Sequence, residues 1–578
     1  LKSLRDSVSL CEITILTLVG YHGGFGETVL PFQTFKRPIF FEKASIVMQK
    51  YFPEKQVTHS PYNKILTNIN VWSRDGKKIV YDVRSDKDGS VFDGTRIETV
   101  NVETGKTSVL FQASHGACCG VATCSPADDR IVFLHGPEHP VPDWDYGTSR
   151  RYGVLLPAEE TSNGLQKTSK NPEKTEPVVL DACQLAPPFV PGALRGGSHV
   201  HVFSGDGAWI AFTYQDQLLQ QLDQQCLSSP RQSDNRGAMP GFPGENHDPD
   251  QRNVGVCVPL HKVSVNRNHP RNHDGAYFSV LVTRTVAVPK PGSDEIMKAY
   301  EDGWVGTNGY LKPDGRRQKK AIAFLGDLLT SHGAKLTELF LVDLPEHAAD
   351  LQWEGDGPLS GTETRRPLPP KNVVQKRLTF TESRRFPGIQ GPRHWVRSSP
   401  DGSRIAFLFR DDRGIVQIGS VSPNGGGIGG DAGDDIVPLT DNPWSVESCF
   451  CWHPDGTSIA YLMDRSVFIT TVEKNAGAYQ KLVQGCHSYQ GATNGSEKTS
   501  DQLLINTKKS GIGQTIGQTV RLTQRSEEAS DSPLPLAIVF SPDGKKIAFE
   551  RNIFGENGLR FNQIFVVNIE NLKETVCL

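Results

Sequence analysis

From residue 68 onward, apolar residues alternate with polar ones in short runs, and each run breaks at a tight turn. Asn68-Ile-Asn-Val-Trp-Ser-Arg-Asp-Gly-Lys-Lys-Ile-Val-Tyr81 shows the pattern most plainly. Alternation predicts half-buried strands, and Asp-Gly between them predicts a hairpin turn. The same frame returns at Cys124–Phe133, Phe203–Phe212, Ser398–Phe407, Trp452–Tyr461 and Phe540–Phe549. In all six copies the residue before the turn (Ser73, Ser125, Ser204, Ser399, His453, Ser541) precedes an isoleucine by six positions.

A hairpin repeated at intervals of roughly 50–90 residues predicts a β-propeller with one hairpin per blade. Each small antiparallel sheet cannot cover both its faces, and stacking blades in a ring does so. The stretch from Ser204 to Ser399 is too long for one blade and predicts a divergent one, which makes seven blades, with eight as the alternative. Residues 1–60 are expected to form an extension unrelated to the repeats, and residues 61–578 a single all-β propeller. Polar loop insertions are expected near 218–252, 285–320, 353–372, 424–435 and 486–532. Ser293-Asp-Glu-Ile-Met-Lys-Ala-Tyr-Glu301 is the one predicted helix, opened by a Ser or Asp cap.

Composition agrees with a turn-rich β protein: 56 Gly and 38 Pro against 4 Met. Net charge is −3, from 62 basic and 65 acidic residues, so nucleic acid is not an expected partner. Cys11–Val19 is too short and too interrupted by Glu12 to span a bilayer, and no membrane insertion is expected. The 11 cysteines form no CxxC pair, which predicts free thiols and a cytoplasmic location. A periplasmic or secreted location is the alternative if a signal preceded Leu1.

Leu66-Thr-Asn-Ile-Asn-Val-Trp72, Tyr81-Asp-Val-Arg84, His135-Gly-Pro-Glu138 and Leu194-Arg-Gly-Gly-Ser-His-Val-His-Val-Phe-Ser204 keep a familiar order. Arg252-Asn-Val-Gly-Val256, Pro291–Ile296, Pro392–Arg397 and Ile405–Asp412 continue it. Together they resemble an uncharacterised bacterial family of TolB-like propeller proteins over about Asn68 to Asn568. That resemblance implies a fold and no established activity. More distantly, His199-Val-His201 is similar to the His-x-His with which oligogalacturonate lyases, also TolB-like propellers, help bind a divalent metal. Its register relative to the turn is slightly different here.

The repeat supplies its own alignment. Five residues before the pre-turn position stand Asn68, Gly120, His199, His394, Ser448 and Leu536; three before it stand Asn70, Ala122, His201, Val396, Phe450 and Ile538. If these lie on the innermost strands, the Asn and His side chains converge at one mouth of the channel, and convergent polar groups in a concavity mark a binding site. Arg195 and Arg393 stand just ahead of two of these strands, suited to a carboxylate or phosphate. The expectation is therefore a substrate site of Asn68, Asn70, Arg195 and Arg393. The lyase resemblance adds a divalent metal, Mn or Ca, on His199 and His201, and His394 or His269 as the proton-moving residue. The expected activity is a lyase on uronic-acid-containing saccharides; the alternative is a non-catalytic propeller that binds a protein or small ligand.

Overall fold

The computed structural model describes residues 51–157, 176–228, 247–425, 436–472, 504–505, 517–555 and 558–572. Expectations for residues 1–50, for 426–435 and for much of 229–246 and 486–516 lie outside them. The described chain forms seven blades: six four-stranded antiparallel sheets and one of five strands.

The hairpin frame explains the repeat chemically. In the first blade Ser73 Oγ donates to Asp75 Oδ1 at 2.7 Å and accepts from the Lys78 N–H at 2.9 Å. Gly76 closes the turn at φ 67°, a left-handed conformation that Gly alone adopts without steric cost. Ser204–Asp206, Ser399–Asp401 and Ser541–Asp543 repeat the Ser–Asp bond. His453 substitutes an imidazole: its Nδ1 faces Asp455 at 2.7 Å and its Nε2 meets the Gly544 carbonyl of the next blade at 3.1 Å.

The isoleucine after five of the six turns is fully covered (Ile79, Ile210, Ile405, Ile459 and Ile547), and Ile131 is partly buried. Neighbouring blades share the resulting cores; Ile538 and Phe549 of the seventh pack with Ala460 and Ile469 of the sixth. A second tie recurs one residue ahead of that pre-turn position. The indole N–H groups of Trp72, Trp304 and Trp452 donate to the carbonyls of Val539, Val202 and Arg397, each on the inner strand of the preceding blade.

The ring closes through Glu54–Gln56, which pairs with Arg560–Asn568 as the outer strand of the seventh blade. The propeller thus draws a strand from before residue 61. Closing the last sheet with a strand from the other end of the chain covers an edge that would otherwise be open.

Three further differences from the sequence expectation have local causes. Residues 298–301 of the expected helix belong to the inner strand of the fourth blade, Lys298–Trp304, paired with Ala321–Leu329, and 293–297 are loop. Packing of Ala299 and Ile296 in an inter-blade core overrides the weak helical cap. Thr519–Arg521, inside the expected 486–532 insertion, is the outer partner of Ser466–Thr471. Gln217–Ser228, expected as insertion, is a helix (α1), opened by Asp216, whose Oδ1 accepts from the N–H groups of Leu218 and Leu219. No helix among the described residues is long and apolar enough to cross a membrane.

Candidate functional site

Strands alternate in direction within each blade, so every inner strand begins at the same face of the ring. The inner strand of the third blade, Gly196–Phe203, carries a bulge between His199 and Val202, with Val200 at φ 52°. Val121 and Glu301 occupy the same position in the second and fourth blades, also at positive φ. The bulge turns these residues toward the axis. Val200, Val202 and Trp395 form a buried cluster there with Ile69, Val121 and Trp304, from the first five blades. Deeper polar contact crosses the axis too: Arg397 of the fifth blade bonds the carbonyl and side-chain oxygens of Asn68 of the first. The channel is therefore packed, with an apolar floor beneath its mouth.

Three arginines gather above that floor. Arg151 and Arg252 immediately precede the third strands of the second and third blades, Tyr152–Leu156 and Asn253–Val258. Arg393 precedes the inner strand of the fifth and lies over the Trp395 ring, 4.6 Å from its centroid. Burial lowers the pKa of the His199 imidazole well below its ordinary value, and the charges of Arg151, Arg252 and Arg393 lower it further. Burial likewise lowers Arg151, and the charges of Arg252 and Arg393 add to it. Glu301 Oε1 accepts from Arg393 Nε at 2.8 Å, and the charges of Glu301 and Asp250 both act on Arg252.

Three polar atoms of this group are left over among the described residues, Glu301 Oε2 being one. Arg151 is 6% exposed, bonds the Tyr146 hydroxyl through Nη1, and its Nε meets no partner among the described residues. The buried Nδ1 of His199 also meets none. The strand and the arginine are fixed to each other, because Ser198 N–H donates to the Arg151 carbonyl at 3.1 Å.

The other expected site residues lie elsewhere. Arg195 is fully buried; its Nε and Nη2 both meet Asp216 Oδ2, at 3.2 and 2.5 Å, and Nη1 meets the Thr362 carbonyl. It is an internal ion pair and has no arm to offer a ligand. His201 is fully buried between the second and third blades, with Nε2 3.0 Å from Ser198 Oγ, and Ser198 in turn donates to Asp181. Burial pushes His201 down to about 3 and Asp181 up to about 7. His394 is committed on both sides: Nε2 accepts from the Leu408 N–H at 3.1 Å, so Nδ1 carries the proton and donates to the Pro392 carbonyl at 2.9 Å. His269 belongs to the loop between the third and fourth strands of the third blade, beside Trp144, and not to the divergent blade. Asn68 is engaged by Arg397, and the Asn70 carbonyl accepts from Cys124 N–H.

Of the expected residues, His199 and Arg393 come together. Arg151, Arg252 and Glu301 were missed. Their signal was available: an Arg directly ahead of the third strand in two successive blades. The repeat alignment stopped at the inner hairpin and did not reach it.

A family model described as "Protein of unknown function (DUF3748)" matches residues 118–273, which carry Arg151, His199, His201 and Arg252. The Uncharacterized protein YidR of Escherichia coli (strain K12) is 42% identical over 414 residues, covering 72% of this chain and 85% of YidR. The chain belongs to the YidR family. Among solved structures, TolB from Acinetobacter baumannii is 13% identical with a TM-score of 0.29 over 68% of this chain and 60% of that one. A protein of unknown function from Dyadobacter fermentans DSM 18053 is 9% identical with a TM-score of 0.32, over 90% and 99%. The Pyrococcus horikoshii acylaminoacyl peptidase gives 9% and 0.34, over 87% and 50%. Likenesses this low carry no argument about activity.

Proposed function

We propose that this protein is a ligand-binding propeller whose channel mouth takes a small anion, a carboxylate- or phosphate-bearing molecule, on Arg151, Arg252, Arg393 and His199. The observation that carries it is the pair of buried nitrogens without partners among the described residues, Arg151 Nε and His199 Nδ1, within a group of three guanidiniums of which Arg393 alone bonds a carboxylate, that of Glu301. A buried N–H without a partner costs roughly 1–3 kcal/mol, and an anion would satisfy it with a charge-assisted bond. The floor of Val200, Trp304 and Trp395 gives the uncharged part of such a ligand an apolar surface.

The test is calorimetric titration with inorganic phosphate, galacturonate and its oligomers, and neutral galactose. Binding of an anion that weakens with salt and falls at least about tenfold in Arg151→Met supports the reading. Silence to all the anions, or equal affinity in the variant, overturns it.

One observation favours the lyase as a second reading: His199 is held neutral beside guanidiniums. β-Elimination next to a uronate needs the carboxylate's charge answered and a base for the adjacent proton. In this arrangement the arginines take the carboxylate, His199 takes the proton from the adjacent carbon, the C–O bond to the glycosidic oxygen breaks as the double bond forms, and the imidazole returns the proton to that leaving oxygen. A metal on His199 and His201 fits less well, because His201 Nε2 is spent on Ser198 and the three guanidiniums repel a cation. An ultraviolet-absorbing unsaturated product from oligogalacturonate, lost in His199→Gln, is the expected result; no product across acidic saccharides removes this reading. The eight described cysteines, all free, support the cytoplasmic location.

A further inference from the structure

A second cluster lies on loops of the first two blades. His115 is in the connection that leads into Cys119–Cys124, and Glu138 and His139 are in the loop after Ile131–His135. Their ligand atoms all lie within 4.8 Å of one another, and all three residues are exposed. Among the described residues this is where three such groups converge. His115 Nδ1 stands 3.6 Å from Glu138 Oε2, and the two imidazoles stack with centroids 4.5 Å apart.

We propose that His115, Glu138 and His139 form a binding site for a divalent transition metal of the zinc type. Two imidazoles and a carboxylate are a donor set that zinc accepts while keeping a position open to water. Calcium and magnesium want oxygen donors throughout and are poor candidates. Metal–ligand distances of about 2.0–2.2 Å require the three side chains to close inward by small rotations. Their exposure leaves room for that.

The backbone beneath them is already fixed. His139 N–H donates to the His115 carbonyl at 2.8 Å, which clamps the two loops together. From a third loop, Arg271 donates to the Glu138 carbonyl at 2.8 Å and the His139 carbonyl at 3.2 Å. Both histidines hold left-handed backbones, at φ 51° and 50°. Non-glycine residues seldom adopt that region, and here it brings both rings to the same side. Less is then lost on binding, since the loops need no ordering.

The test is titration of the full-length chain with Co²⁺, a zinc surrogate with a visible spectrum, followed by competition with Zn²⁺. The expected result is one equivalent with a nitrogen/oxygen-type spectrum and no thiolate charge-transfer band. That equivalent disappears in His115→Ala/His139→Ala, and its affinity falls by roughly tenfold or more in Glu138→Gln. Because the residues are exposed, thermal unfolding of metal-free variants should match the unaltered chain. No Co²⁺ or Zn²⁺ bound at micromolar concentration overturns the proposal. So does an unchanged spectrum and stoichiometry in the double variant. Anion titration of the double variant separates this site from the mouth: anion binding is expected to persist whether or not the metal equivalent is lost.

Discussion

Arg397, on the inner strand of the fifth blade, bonds Asn68 of the first across the axis of the ring. Its guanidinium is buried, and its hydrogen-bond partners among the described residues are carbonyl and amide oxygens: Asn68 and the Val396 carbonyl. Burial lowers its pKa from the ordinary value. The two residues are thereby coupled. Asn68→Ala is expected to destabilise the fold by about 1–3 kcal/mol, because it strips the side-chain acceptor from a buried charge and leaves only backbone carbonyls. Arg397→Met/Asn68→Leu should recover part of that loss, with a coupling of about 0.5–3 kcal/mol by urea denaturation of the four proteins. Additive single effects would mean that the contact contributes nothing specific.

Arg195 and Asp216 make a second buried pair, and Asp216 also caps α1. Arg195→Ala leaves that carboxylate without its cation, and loss of one partner of a buried pair costs roughly 3–5 kcal/mol. The expected result is a lower urea midpoint with anion affinity at the mouth unchanged in the folded protein. A loss of affinity without a loss of stability would return Arg195 to the binding site.

The Asp181–Ser198–His201 chain sets a pH dependence. Asp181 is raised from 3.8 to about 7, so the folded state binds more protons than the unfolded state between those values. Its contribution to stability therefore falls as pH rises through that window and is constant above it. The displacement corresponds to at most about 4 kcal/mol. His201, lowered from 6.5 to about 3, acts oppositely: stability falls as pH drops below 6.5. Asp181→Asn should gain relative to the unaltered chain from pH 4 to pH 7 and then hold that difference. Urea unfolding at pH 5, 6 and 8 measures it, and a pH-independent difference would refute the assignment.

Gly153 has its α-carbon against the His201 ring. A Cβ there would stand 2.7 Å from His201 Nε2 and 2.9 Å from Leu180 Cδ2, both buried. Gly153→Ala is expected to cost about 1–3 kcal/mol through overpacking. Thermal unfolding tests it, and restoration by His201→Ala in the same chain would identify the ring as the obstacle.

The repeated Ser-x-Asp-Gly turn and its following isoleucine determined the propeller, because a local hydrogen-bond pattern and a local burial requirement fix each hairpin. The frame also aligned His199 with Asn68 and His394 at the start of the inner strands. It could not say which way a side chain faces, because a bulge at Val200 shifts the register after His199. Nor could it reveal partners distant in sequence: Asp216 for Arg195, Leu408 for His394, Asn68 for Arg397. Those contacts withdrew three expected residues from the site. Arg151 and Arg252 entered it because the ring brings the third strands of two blades to the same face. Repetition along the chain specified the architecture; only packing between blades, where charges find or fail to find partners, decided the chemistry of the mouth.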